Sequence, residues 1–214
     1  MAALPVNRLS RPLVTTLIVL AAALFPGGLP PGAHAFQTFD PSWTRLAPEE
    51  IRMVENGQIA VRMVDAAGTL RQTLVVGTVQ APAQVVYEVF ADFDRYAEIF
   101  DLKSSRIVES RGNLRMVRCV IPMPWPVGDC WVVNETHLAP ETTSLWFEMK
   151  EGSIRAYNGA IRIVPRSAAA CDVYYAARID PGIPFLPDWF LQIIQNAKLP
   201  DTITAIRRAV ARRR

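Results

Sequence analysis

The chain has 214 residues, half of them hydrophobic and 20% charged, with a net charge of +3. That length suits one domain, or one domain with a targeting segment, and the composition is that of a globular core rather than a disordered chain. No basic stripe interleaved with exposed aromatics occurs, so nucleic acid is not expected as a partner.

The first 35 residues differ from the rest. Arg8 and Arg11 precede an uncharged run from Leu13 to Phe25, Pro26-Gly27-Gly28 breaks it, and Ala33-His34-Ala35 supplies a small-x-small cleavage pattern. The run is short of the roughly 20 residues that span a bilayer. A signal peptide over 1–35 is expected, cleaved after Ala35, with a periplasmic or secreted domain over 36–214. An uncleaved anchor is the alternative. No cysteine stands at the cleavage site, which argues against a lipoprotein. Losing two arginines and no acids lowers the net charge from +3 to +1.

Pro48, Glu49 and Glu50 open a short helix over 47–55, closed by Gly57. Ile59, Val61 and Met63 alternate, Ala67-Gly68 turns, and a second strand runs over about 70–79. Pro82 sits in the first turn of the next helix, whose buried stripe is Val86, Phe90 and Phe93. A short helix over 95–100 brings Tyr96 and Phe100 to one side.

Strands are then expected at about 104–111, 114–122, 129–138, 142–149, 155–164 and 170–179. Gly112-Asn113 and Met123-Pro124-Trp125-Pro126 form turns. Links this short imply an antiparallel meander. Leu145, Phe147 and Met149 alternate with Ser144, Trp146 and Glu148, which reads as a sheet with one covered face. Pro187 and Asp188 start a final helix, with stripes Phe190, Ile194, Ala197 and Leu199, Ile203, Ile206, Val210, and Pro200 kinks or splits it. The class is α+β: a curved antiparallel sheet wrapped around a long C-terminal helix.

Three segments carry a resemblance over about residues 58–212. They are Ala83 to Tyr96, Gly152 to Gly159, and Ile183 to Phe190 followed by Leu199-Pro200-Asp201-Thr202. In that order the chain resembles the START-like superfamily (the SRPBCC or polyketide cyclase-like group), of the bacterial START lipid-binding type. The resemblance implies the helix-grip fold and the binding or transfer of a lipid, sterol, quinone or polyketide. A minority of that group are cyclases and hydrolases. Many relatives carry an Arg-Asp pair where this chain has Gly128-Asp129-Cys130-Trp131, so no role for that arginine carries over.

His137 is the only histidine of the expected mature chain and lies in a strand, which leaves little for nucleophilic catalysis. With no C-x-x-C pair, neither a metal site nor a cofactor is expected. The aromatics cluster in the sheet and last helix, where they serve as core or line an apolar pocket. For a ligand pocket the candidates are Trp131, Leu145, Phe147, Met149, Tyr157, Tyr175, Phe190, Ile194 and Ile203. Arg118, Asn134 and Arg155 are candidates for orienting the ligand, with exposed salt bridges the alternative for both arginines. Leu145, Phe147, Met149, Phe190, Ile194 and Ile203 should border a space of about 300–1,000 Å³, the usual size of a ligand site.

Cys119 and Cys130 face each other if the hairpin turns at Pro124-Trp125, which would allow a bridge; free buried thiols are the alternative. The arginine-rich end, Arg207, Arg208, Arg212, Arg213 and Arg214, complements the negative pole of the last helix or attracts anionic headgroups.

The expected protein is therefore a monomeric binder or carrier of a hydrophobic small molecule, in transient contact with membranes. An enzyme acting on such a molecule, or an interaction module with a collapsed cavity, are the competing readings.

Overall fold

The computed structural model describes residues 44–65, 71–122, 128–180, 182 and 201–213. The expected leader over 1–35, the expected turns at 67–68 and 123–126, the expected helix start at Pro187 with Phe190 and Ile194, and the expected break at Pro200 lie outside the described residues.

Helix α1 spans Pro48–Glu55. Its entry is fixed by Glu50, whose carboxylate accepts from the Ala47 backbone N–H at 2.7 Å and from Arg62 at 2.8 Å. Strands β1 (Ala60–Asp65) and β2 (Arg71–Val79) form the first hairpin. Helix α2 (Ala83–Ala91), a 3-10 turn at Phe93–Arg95 and helix α3 (Tyr96–Ile99) follow. The meander is β3 (Ser104–Arg111), β4 (Leu114–Ile121), β5 (Cys130–Ala139), β6 (Ser144–Gly152), β7 (Ala156–Ser167) and β8 (Ala170–Asp180). Residues 201–211 are helical.

All eight strands join one antiparallel sheet in the order β1-β2-β8-β7-β6-β5-β4-β3. β2 and β3 stand near opposite edges, so α2 and α3 must cross the sheet to connect them. This is the α+β helix-grip arrangement, with a curved sheet gripping helices on one face.

Alternation assigns the two faces. Val75 packs with Val86, Phe90, Ile203 and Ile206 beneath α2 and the C-terminal helix. Its neighbours Leu74 and Val76 pack with Val54 of α1 on the other side. The inner face therefore carries α2 and the last helix, and the outer face carries α1. Phe90 and Ile206 are wholly buried, and each such side chain contributes roughly 1.5–3 kcal/mol by leaving water.

The expected limits of β6 and β7 move, and β6 also runs on to Gly152. Residues 140–142 form a 3-10 turn and Thr143 adopts a left-handed φ of 45°. Its hydroxyl donates to the Ile163 carbonyl at 2.7 Å, so β6 starts only at Ser144. β7 continues past 164 because Pro165 falls at a bulge between Pro165 and Ser167, where a ladder donor is dispensable.

The expected Cys119–Cys130 facing pair is corrected. Cys119 pairs with Val132 and Cys130 with Ile121, a register displaced by two residues from the mirror spacing about Pro124-Trp125. All three cysteines are free and buried.

Candidate functional site

The inner face is apolar at its base. Leu145, Phe147 and Ile161 sit in one cluster with the helices above them, and Val117, Cys119 and Val132 form a second with Phe93. Small residues open space between the rows. Gly159 lies opposite Phe147 on β6 and Ala177 on β8. A Cβ on Gly159 would meet the Phe147 ring at 2.6 Å and the Ala176 carbonyl at 2.5 Å. The glycine is thus what lets the phenylalanine lie flat on the strand.

Across that row two phenols meet: the Tyr157 and Tyr175 hydroxyls are 2.9 Å apart. The Phe147 and Tyr157 ring centroids are 4.9 Å apart. Tyr96 adds a third phenol from α3, donating to the Phe90 carbonyl at 2.5 Å. Ser105 donates to the Phe93 carbonyl at 2.7 Å and lies 3.5 Å from the Cys119 sulfur.

Burial sets the electrostatics of this belt. It pushes the Tyr157 phenol well above its ordinary value, helped by Tyr175, Cys119 and Tyr96. Tyr96 is likewise driven well up by burial, with Cys119 and Tyr175 adding to it. Burial raises Tyr175 too, against the Tyr157 hydrogen bond, and the Cys119 thiol, against its bond to Ser105. At neutral pH all four are uncharged hydrogen-bonding groups.

Asn134 also points inward, since it pairs with Val117 on one side and Met149 on the other. The sheet bulges between Val133 and Asn134, a device that re-aims side chains beside sites. Met149 bends along this face: its sulfur would lie 2.7 Å from a Cβ on Gly152.

Of the residues expected from sequence, Asn134, Leu145, Phe147, Met149, Tyr157, Tyr175 and Ile203 share the inner side of the molecule. Phe190 and Ile194 lie outside the described residues. Arg118 and Trp131 do not face inward. Both occupy the outer face, with the guanidinium carbon 5.2 Å from the indole centroid, a cation–π contact. Arg155 is an exposed partner of Asp180 at 3.1 Å.

His137 is on the outer face as well. It stacks on Trp146 at 4.8 Å with 2° between the planes and pairs with Glu135 at 3.0 Å.

The inner-face residues that sequence reasoning passed over are Thr136, Cys119 and Tyr96. Thr136 is two positions from Asn134 and so on its face, a signal present in the alternation itself.

A solvent-open recess of about 610 Å³ lies at the seam between α3 and the C-terminal helix, lined by Glu98, Ile99, Asp101, Arg208, Ala211 and Arg212. None of the six residues expected to border the ligand space lines it. Two ion pairs cross near this seam, Arg212 to Glu98 at 3.6 Å and Arg213 to Asp92 at 2.5 Å.

The family profile described as "Polyketide cyclase / dehydrase and lipid transport" matches residues 79–207. Among solved structures the chain is similar to the Zhui aromatase/cyclase from a Streptomyces species. Identity is 21% and the TM-score 0.59, covering 67% of this chain and 95% of that one. It is similar also to a STAR-related lipid transfer protein from Xanthomonas axonopodis, 20% identical with a TM-score of 0.59, covering 72% and 93%. A START superfamily protein from Mycobacterium smegmatis is 13% identical with a TM-score of 0.57, covering 73% and 99%. These likenesses establish the fold. Comparison with curated protein sequences gives no match. The profile spans well over half the chain, and on that ground the protein belongs to the polyketide cyclase/dehydrase and lipid transport family.

Proposed function

We propose that the protein binds, and carries between membranes, a hydrophobic small molecule held against the inner face of the sheet. The observation that supports this most directly is the pairing of Tyr157 with Tyr175 inside a largely apolar face. Ligand sites combine apolar walls with a few placed polar groups. Binding would draw on apolar burial, at roughly 25 cal/mol per Å², and the seam between α3 and the C-terminal helix is the proposed entry. We also propose that residues 1–35 are removed on export and that the domain works in the periplasm or outside the cell.

Acid–base catalysis would need an interior group that titrates near neutrality. The inner phenols and thiol are pushed the other way, which favours binding over a cyclase or hydrolase reading.

Native mass spectrometry of the exported protein, followed by solvent extraction, tests the proposal. The expected spectrum shows a polypeptide beginning at Phe36 with a non-covalent adduct that partitions into organic solvent. An adduct-free protein that takes up no uncharged apolar probe refutes the binding function, and retention of 1–35 refutes the leader.

A further inference from the structure

One inner-face position is explained neither by packing nor by the sheet. Asn134 is 8% exposed, and its carboxamide Oδ1 has no hydrogen-bond partner. A buried acceptor left unmet destabilises the fold, whereas an apolar side chain of similar shape would not. Its strand neighbours on the same face, Val132 and Thr136, are 0% and 3% exposed, so the amide lies in the floor of the face and not at its margin. The sheet bulges opposite this residue, where β6 skips Lys150 between Met149, the partner of Asn134, and Glu151, the partner of Val133.

Charge is organised around Asn134 in a particular way. Arg118 and Lys150 are close to it in the sheet, yet both are turned outward, the first onto Trp131 and the second onto Glu148 at 2.8 Å. On the inward positions of β4 to β8, among the described residues, Arg115 is the only charged side chain. Its guanidinium turns away to the Gly112 and Leu114 carbonyls at the hairpin end. The phenols and thiol that remain are neutral. Among the described residues, an anionic headgroup brought to these strand positions would meet no inward cation other than Arg115, and burying an unpaired charge is far costlier than burying a hydrogen-bonded neutral group.

The Tyr157–Tyr175 pair supplies the complementary half. One phenol donates to the other, and the acceptor's own O–H is left to donate outward. Tyr157 and Met149 pack against the same cluster, and Met149 is the β6 partner of Asn134, so the donor and the acceptor belong to one stretch of the face.

We infer that the ligand is an uncharged amphiphile bearing a hydroxyl, whose O–H donates to Asn134 Oδ1 and whose oxygen accepts from the Tyr157–Tyr175 pair. This rests on the binding function proposed above and narrows it to neutral, hydroxylated ligands, excluding fatty-acid anions and other charged heads.

The test uses the exported protein stripped of bound lipid and loaded with the uncharged fluorophore N-phenyl-1-naphthylamine. It is displaced in turn by 1-hexadecanol, methyl hexadecanoate and hexadecanoate, the last under conditions where it is ionised. These share one chain and differ in the head: donor and acceptor, acceptor only, and anion. The alcohol should displace the fluorophore about tenfold more effectively than the ester, the usual scale for one net hydrogen bond. The anion should be the weakest of the three. Asn134→Leu should bring alcohol and ester together, each displacement being read against the variant's own fluorophore affinity.

Failure of the wild-type protein to take up the fluorophore would overturn the binding function itself. Uptake with the anion displacing as well as the alcohol, or an alcohol preference that survives Asn134→Leu, would overturn this inference and leave binding standing. Should Asn134→Leu fail to fold, the wild-type series decides alone: equal displacement by alcohol and ester refutes the donor requirement.

Discussion

The C-terminal helix is held against the sheet by the absence of one methyl group. Gly77 of β2 lies beneath Ile203, and a Cβ there would come within 2.9 Å of Ile203 Cγ2, with Ile59 at 3.4 Å and Arg207 at 3.5 Å. Ile203 is wholly buried, and Arg207 beside it donates to the Thr78 and Gly57 carbonyls at 2.9 and 3.1 Å, so neither neighbour yields freely. Over-packing of this kind costs about 1–3 kcal/mol, while replacing a strand glycine returns about 0.5–1 kcal/mol of backbone entropy. Gly77→Ala should therefore destabilise by about 1 kcal/mol net, which for a domain of this size lowers the melting temperature by about 2–4 °C. The sharper reading comes from Ile203→Leu, which removes Cγ2 at a cost under about 1.5 kcal/mol. In the Gly77→Ala background that cost should shrink, giving a coupling of about 1 kcal/mol in a double-mutant cycle followed by thermal melting. Strict additivity, or a melting temperature raised by Gly77→Ala alone, would refute the claim that this glycine sets the height of the helix.

Three further outcomes follow from burial and charge. All five tyrosines have phenols raised by burial before any other cause, so absorbance at 295 nm near pH 10 should show little phenolate until the protein unfolds. A raised folded value means the associated stability is complete below pH 10 and is lost as the pH climbs through the folded values, so early phenolate signal from folded protein would contradict the burial of the belt. Thiol counting in denaturant without reductant should find three free cysteines, with Cys171, pushed up to about 12 by burial, the slowest to react in the native state; a count of one would restore the bridge. The hydrogen bond from His137, with Lys150 assisting, holds the Glu135 carboxyl below its ordinary 4.5. Its contribution is present above that value and is lost as pH falls through the lower folded one. Glu135→Gln should therefore flatten the drop in melting temperature between neutral and acid pH, and an unchanged acid limb would mean the pair contributes nothing.

Much of this was legible in the chain because short turns and strict alternation leave few topologies. Gly112-Asn113 fixed the β3–β4 hairpin, and the period-two pattern of Leu145, Phe147 and Met149 identified the buried side of β6. The Cys119–Cys130 register was not legible, because it depends on where a proline-rich connection reverses, and one residue of displacement there shifts the partner by two. The site assignments failed where the alternation was not carried through. Trp131 and Asn134 are three apart on one strand and cannot share a face, and Arg118 stands between Val117 and Cys119, both inward. Asn134 was legible as a polar interruption of an inward row, but its unmet oxygen was not, since that depends on what the neighbouring strands bring to it.

The two faces of β4 to β6 show how one composition separates into two kinds of chemistry. On the outer face Glu135 meets His137 and Lys150, and Arg118 lies over Trp131, so these charges have partners in water-accessible surroundings, where such pairs are worth little individually. On the inner face, apart from Arg115 turned to the hairpin end, the polar side chains of the described residues are amide, hydroxyl and thiol. If that side served catalysis, at least one acid or base would be expected among its inward positions with its value moved toward neutrality. Instead the charged residues of β5 and β6, Glu135, Glu148, Lys150 and Glu151, fall on outward positions, the last because the bulge after Met149 shifts the phase so that Glu151 pairs with Val133. Moving Asn134 one place along β5 would exchange the two environments, bringing Glu135 or Val133 inward and the amide to water. The register that keeps the inner face neutral is the same register that presents Asn134 to it. The proposed selection among ligands by charge would in this sense be a consequence of strand pairing, and a slip of a single residue would abolish it.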